Sequence, residues 1–172
     1  MTNCKCKDDK CPELFKVQSN QEIDYEEAID PIDLLQLPVL IKSKNTEVKL
    51  DSTVEIFTSI INRDRDNIGF ASFSYEYILQ RSTNGGNFTT LATMTPAQSL
   101  NVIPASGAGP SNYSGSLVTN LTWVDKPEIG CYIYRILIDK GPAQTFIIQA
   151  PADLSRMIRT RSLNASVFTH QT

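Results

Sequence analysis

TEVKLDSTVEIFTSII, residues 46–61, decides how this chain is to be read. In TEVKLD (46–51) apolar Val48 and Leu50 alternate with charged neighbours, and TVEIFTSII (53–61) is rich in β-branched residues. A period of two sends successive side chains to opposite faces of an extended strand, and branched residues suit its pleated surface. The same signature recurs in FASFSYEYILQ (70–80), NFTTLATM (87–94), SLVTNLTWV (116–124), CYIYRILID (131–139), AQTFIIQA (143–150) and RSLNASVF (161–168). With the two runs in 46–61 these make eight candidate strands, and 38–41 is a ninth. In 70–80 the alternation places Phe73, Tyr75 and Tyr77 on one face.

Turn signals punctuate the runs. Asn84-Gly85-Gly86 predicts a tight hairpin, because a primed turn needs positive φ. Residues 126–130 (KPEIG) and 140–142 (KGP) are further breaks, and 104–115 (PASGAGPSNYSG) predicts a long exposed loop. After residue 36 no segment carries a convincing 3.6-residue period. The expected fold class is all-β: a jelly-roll β-sandwich of about eight strands preceded by a flexible N-terminal arm. An immunoglobulin-like sandwich is the alternative, and the missing Cys…Trp…Cys framework speaks against it. The expected organisation is a cysteine-rich connector arm at 1–11, an acidic linker at 12–36 and the sandwich at 37–172.

With 172 residues, 41% of them hydrophobic, the chain is long enough to bury a core without covalent staples. A net charge of −3 and the lack of a basic stripe argue against nucleic acid as a partner. Arg156, Arg159 and Arg161 form the one late basic cluster, expected as a solvated strand end. Between Glu22 and Asp33 lie six acids and no base, without the spacing of a calcium loop, which predicts a solvated linker or short helix. No run of about 18 apolar residues predicts a membrane-spanning helix. The N-terminus has no apolar stretch of the signal-peptide kind. Four N-x-S/T sequons, at Asn87, Asn112, Asn120 and Asn164, are expected by-products of a Ser/Thr/Asn-rich β composition.

Catalytic constellations are hard to assemble. The single histidine, His170, stands two residues from the C-terminal Thr172, and no G-x-S-x-G, P-loop or H-E-x-x-H occurs. The expectation is a protein that is not an enzyme and takes no cofactor.

The unusual chemistry lies in MTNCKCKDDKCPE. Cys4, Cys6 and Cys11 stand within the first 11 residues, and the fourth cysteine, Cys131, follows 120 residues later at the start of a predicted strand. Three readings are open: a flexible tail, a zinc site and covalent cross-linking. Zinc ordinarily asks for C-x₂₋₄-C spacing, longer than Cys4-Lys5-Cys6. Cross-linking fits an arm in which a Cys4–Cys6 pair would be strained, and three thiols leave at least one to seek a partner elsewhere. Clustered cysteines without an export signal also fit a protein assembled inside a cell and exposed to oxidation when that cell lyses, as bacterial spore-surface proteins are.

A cysteine-bearing arm before a small jelly roll resembles the subunits of bacterial endospore appendages. LQRSTNGGNFTTLATM, LTWVDKPEIGCYIYRILI and the closing RSLNASVF are similar to the jelly-roll modules of spore-surface and exosporium proteins. They are similar also to C1q- or TNF-like heads of phage and spore fibres. The resemblance covers roughly residues 46–168 as a strand pattern. It implies arms that reach into subunits stacked along a fibre and form intermolecular disulfides with strand cysteines, Cys4, Cys6 and Cys11 matching the donor arm and Cys131 a strand acceptor. It implies as partners copies of the chain itself, in a helical fibre or ring, together with other spore-surface subunits. It places the protein on the spore surface after synthesis in the mother-cell cytoplasm. The chain departs from the family in having Cys4-Lys5-Cys6 where adjacent cysteines are frequent, one strand cysteine, and a longer acidic zone. A trimeric C1q/TNF-like binding head, recognising a partner through 104–115, is the alternative function.

Overall fold

A computed structural model describes residues 12–62, 69–102, 110–140, 146–147 and 152–169. It is all-β, a jelly-roll sandwich in which every strand pairing is antiparallel. The strands are β1 (Glu13–Ser19), β2 (Ile23–Asp24), β3 (Ile32–Ile41), β4 (Thr46–Asn62), β5 (Gly69–Ser74), β6 (Glu76–Thr83), β7 (Phe88–Met94), β8 (Ala97–Val102), β9 (Ser111–Asp125), β10 (Gly130–Asp139), β11 (Phe146–Ile147) and β12 (Ala152–Thr169). One sheet runs β1-β12-β4-β9, with β2 also on β12; a second runs β3-β10-β6-β7; β11-β5-β8 form a third. Among the described residues no helix is long and apolar enough to cross a membrane.

The two runs in 46–61 are one strand. Val48, Leu50, Ser52, Val54, Ile56, Thr58 and Ile60 are all buried, so the period of two passes through Asp51-Ser52-Thr53 without a slip. Ser52 tolerates the core because its hydroxyl donates to the Leu121 carbonyl at 3.4 Å. Facing β4 across the core, Tyr77, Leu79, Tyr132, Tyr134, Ile136 and Ile138 fill the inner side of the second sheet.

The stretch 70–80 does the reverse: it is divided between two sheets. β5 ends at Ser74 and β6 begins at Glu76, and Tyr75 at the junction is 1% exposed. Its amide donates to the Pro96 carbonyl and its hydroxyl lies 2.6 Å from Thr119 Oγ1 on β9. Phe73, Tyr75 and Tyr77 nevertheless remain buried together, as their alternation predicts. Two expectations differ in extent. β9 takes in Ser111–Gly115, which the glycines and prolines of 104–115 had suggested was loop, because β4 offers partners out to Asn62. β12 is 18 residues long and begins well before the predicted 161–168.

Residues 12–36 are not a linker but part of the framework. β1 adds to the edge of the large sheet, with Glu13 opposite Val167, and β3 opens the second sheet. The acidic segment between them carries the chain from one sheet to the other, and it meets the arginines of β12. Arg156 is 1% exposed, its Nε and Nη2 both 2.6 Å from Glu26 Oε1, and its guanidinium lies 4.5 Å from the Tyr25 ring and 5.3 Å from that of Phe73. Arg159 pairs with Glu22 at 3.2 Å and covers the Phe57 ring. Arg161, also buried, donates to the carbonyls of Gln21 and Leu34, and burial lowers its pKa. The basic cluster is thus mostly interior, held there by aromatic faces and by acids some 130 residues away in sequence.

Burial removes each tyrosinate from water and pushes the Tyr75 phenol from 10.0 up to about 12, partly offset by its hydrogen bond with Thr119. Tyr77 and Tyr134 are raised as well, first by burial. A phenol that keeps its proton longer in the folded chain contributes stability present below pH 10 and lost as pH rises toward the folded value. The melting temperature should therefore fall steadily between pH 10 and 12, and less so in Tyr75→Phe; a melting temperature flat over that range would contradict the assignment.

Removing one partner of a buried charge strands the other. Glu26→Ala should cost about 2 kcal/mol by denaturant unfolding, the scale of a hydrogen bond to a charged group. The cost should shrink in an Arg156→Met background, and strict additivity would show that the pair is not coupled.

Candidate functional site

Cys131 is the second residue of β10, and its neighbour Tyr132 points into the core, so Cys131 faces out of the second sheet. Its thiol is free and exposed. The turn expected at Asn84-Gly85-Gly86 builds the surroundings. Asn84 and Gly85 take φ of +50° and +74°, both left-handed, and the Gly86 amide donates to the Thr83 carbonyl at 2.9 Å. This is the primed geometry that joins β6 to β7. Asn84 then clamps β10: its amide donates to the Cys131 carbonyl at 2.8 Å, and its Oδ1 accepts from the Cys131 amide at 3.1 Å. The backbone carrying the thiol is tied on both sides while the side chain remains open.

A charged node underlies the same rim. Arg81 Nη1 donates to both Asp125 oxygens, at 2.9 and 2.8 Å, and the Tyr134 hydroxyl donates to Oδ2 at 2.8 Å. Burial, then the Asp125 bond, holds the Tyr134 phenol protonated far above its ordinary range. Partial burial pulls the Arg81 guanidinium down, but the bond and charge of Asp125 outweigh it and raise it. Asp125 also accepts from the Lys126 amide at 3.0 Å and so starts the loop to β10, which Tyr132 closes by donating to the Glu128 carbonyl.

Around this node the connections β3–β4 and β9–β10 enclose an open cleft of about 710 Å³, lined by residues 44–47 and 126–129. Ile129 beside it and Leu40, the cross-strand partner of Cys131, are both about half exposed. Lys42, just past the end of β3, pairs with Glu13 at the start of β1 at 3.1 Å. The end of β3, the start of β4, the end of β9, the start of β10 and the start of β1 therefore share one rim.

Of the cysteines singled out by sequence, Cys131 occupies the expected strand-start position, and Cys4, Cys6 and Cys11 lie outside the described residues. His170, the single histidine, lies outside them too. Among the described residues no three His, Cys, Asp or Glu side chains are grouped as a metal site would require. Asn84 and Asp125 escaped the sequence reading as parts of this site. Asn84 was legible as a turn residue, but its second role depends on which strand lies beside the turn.

No protein-family model matches the chain, and no curated protein matches it. Among solved structures it is similar to a chain in the structure of infectious bursal disease virus, Gx strain, with 11% sequence identity and a TM-score of 0.31. The match covers 94% of this chain, which spans 37% of the length of that one.

With the other cysteines replaced (Cys4→Ser, Cys6→Ser, Cys11→Ser), the Cys131 thiol should react with an aromatic disulfide reagent at the rate of an exposed thiol in the folded protein. Reaction only after denaturation would show that the thiol is covered. Gly85→Val should leave that reactivity intact but cost about 1–2 kcal/mol, the penalty for a left-handed φ in a residue with a Cβ.

Proposed function

We propose that this chain is a non-enzymatic, self-assembling structural subunit of a spore-surface fibre or ring, joined to its neighbours by disulfides from the N-terminal arm. The observation that carries the reading is Cys131: a free thiol on the outer face of a sheet, its backbone fixed by Asn84 and its side chain open to an incoming chain. Cys4, Cys6 and Cys11 supply three candidate partners on a lysine-rich arm. The described residues form a continuous core of their own, so folding does not call on the arm as a staple. A disulfide turns a concentration-dependent contact between subunits into a covalent one. The alternative of a binding head assigned recognition to 104–115, and Ser111–Gly115 of that stretch are taken up by β9 pairing with β4.

The experiment is electrophoresis of assembled protein in detergent with and without reductant. A ladder of covalent multimers that collapses to monomer on reduction is expected, and monomer alone without reductant would overturn the reading. Deleting residues 1–11 should abolish the ladder and leave the melting transition of a folded β domain.

A further inference from the structure

The placement of groups along the sandwich limits how two chains can be bridged through Cys131. Glu13 opens β1 opposite Val167, near the end of β12, and Lys42, which holds the Glu13 carboxylate, follows Ile41, the strand partner of Gly130. The root of the arm and the Cys131 thiol thus belong to one rim. β4 leaves that rim at Thr46 and runs 17 residues to Asn62, about 56 Å at about 3.3 Å per residue. The arm is shorter. Nine peptide units separate Cys4 from Glu13, at most about 32 Å when fully extended, and Cys6 and Cys11 reach less.

We infer that Cys131 accepts the arm of a second copy of this chain whose rim stands at the same level, side by side or rim to rim, and not of a copy stacked head to tail along the strands. The inference rests on the disulfide-linked assembly proposed above. In a head-to-tail stack the acceptor presents its far end to the donor's rim, and its Cys131 lies a full β4 length away, about 56 Å against an arm of at most about 32 Å. A copy at rim level removes that gap. The home subunit's Cys131 shares that rim and lies within the same reach, and it is the disulfide-linked assembly proposed above that assigns the bridge to a second copy. The Cys131 bridges therefore fasten neighbours that meet at rim level, and any head-to-tail growth along the strands uses other contacts. In each bridge two thiols lose two protons and two electrons to a low-molecular-weight disulfide, which leaves as two thiols.

Full-length chains labelled with ¹⁴N and ¹⁵N are mixed, assembled with oxidised glutathione, and treated with a short amine-reactive cross-linker. Lys42, Lys44 and Lys126 mark the rim, and Lys140, after β10, marks the far end, where Ser59→Lys adds a second amine. Mixed-isotope peptides joining Cys131 to Cys4, Cys6 or Cys11 are expected. Mixed-isotope lysine pairs should be confined to the rim, with pairs between the rim and residues 59 or 140 lost. Abundant rim-to-far-end pairs would overturn the inference and leave the disulfide-linked subunit standing. Cys131–arm peptides of one isotope only, or inter-chain bridges between arms alone, would overturn it as well. Assembly with no inter-chain disulfide at all would overturn both.

Discussion

β4 is hydrogen-bonded to β12 on one side and to β9 on the other along almost its whole length, and the rest of the molecule is arranged around that strand. Its uninterrupted alternation is the reason. A slip of one residue would turn Val48, Leu50, Val54, Ile56 and Ile60 to the outer face, so the register with both neighbours is fixed by the core. Once β4 is placed, β12 must run antiparallel beside it and brings its arginines to a defined height. β9 must follow back to Ser111, and Thr119 is thereby delivered to the Tyr75 hydroxyl at the corner between sheets.

The segment 20–31 answers to the same frame. It connects β1 of the large sheet to β3 of the second, and on the way β2 pairs with β12 at Met157 and Ile158, beside Arg156 and Arg159. Acids that look solvated in isolation become counter-charges there, and Tyr25 becomes a buried ring against Arg156. Such a pairing is invisible to any local reading, because about 130 residues separate Glu26 from Arg156. The strand pattern by contrast was readable, since alternation depends only on near neighbours in sequence. Where it went astray, the cause was tertiary. Glycine and serine in 111–115 suggest a loop until a partner strand is available, and Asp51-Ser52-Thr53 suggests a break until Ser52 is seen to have an acceptor.

At the opposite end, the rim joins rigidity with exposure. Asn84, Asp125, Arg81 and Tyr134 immobilise the backbone around the start of β10, and Cys131, Leu40 and Ile129 remain open. A thiol on a fixed backbone is a better covalent anchor than one on a mobile loop, because the partner need not order the acceptor as it binds. The proposed cross-linking fits this division: Cys131 is the acceptor on the fixed rim, and Cys4, Cys6 and Cys11 are the proposed donors.

By itself the sequence determined the all-β class, the strand faces of 46–61 and 70–80, the hairpin at Asn84-Gly85, and the concentration of cysteine in the arm. All of these follow from spacings of a few residues, where backbone geometry alone dictates the outcome. The tertiary structure decided that residues 12–36 belong to the sheets, that Arg156 and Arg161 are interior, and that Cys131 shares a rim with the root of the arm. Those facts arise from strand order, which brings together residues far apart in the chain, and the burial that enforces that order comes from the whole core.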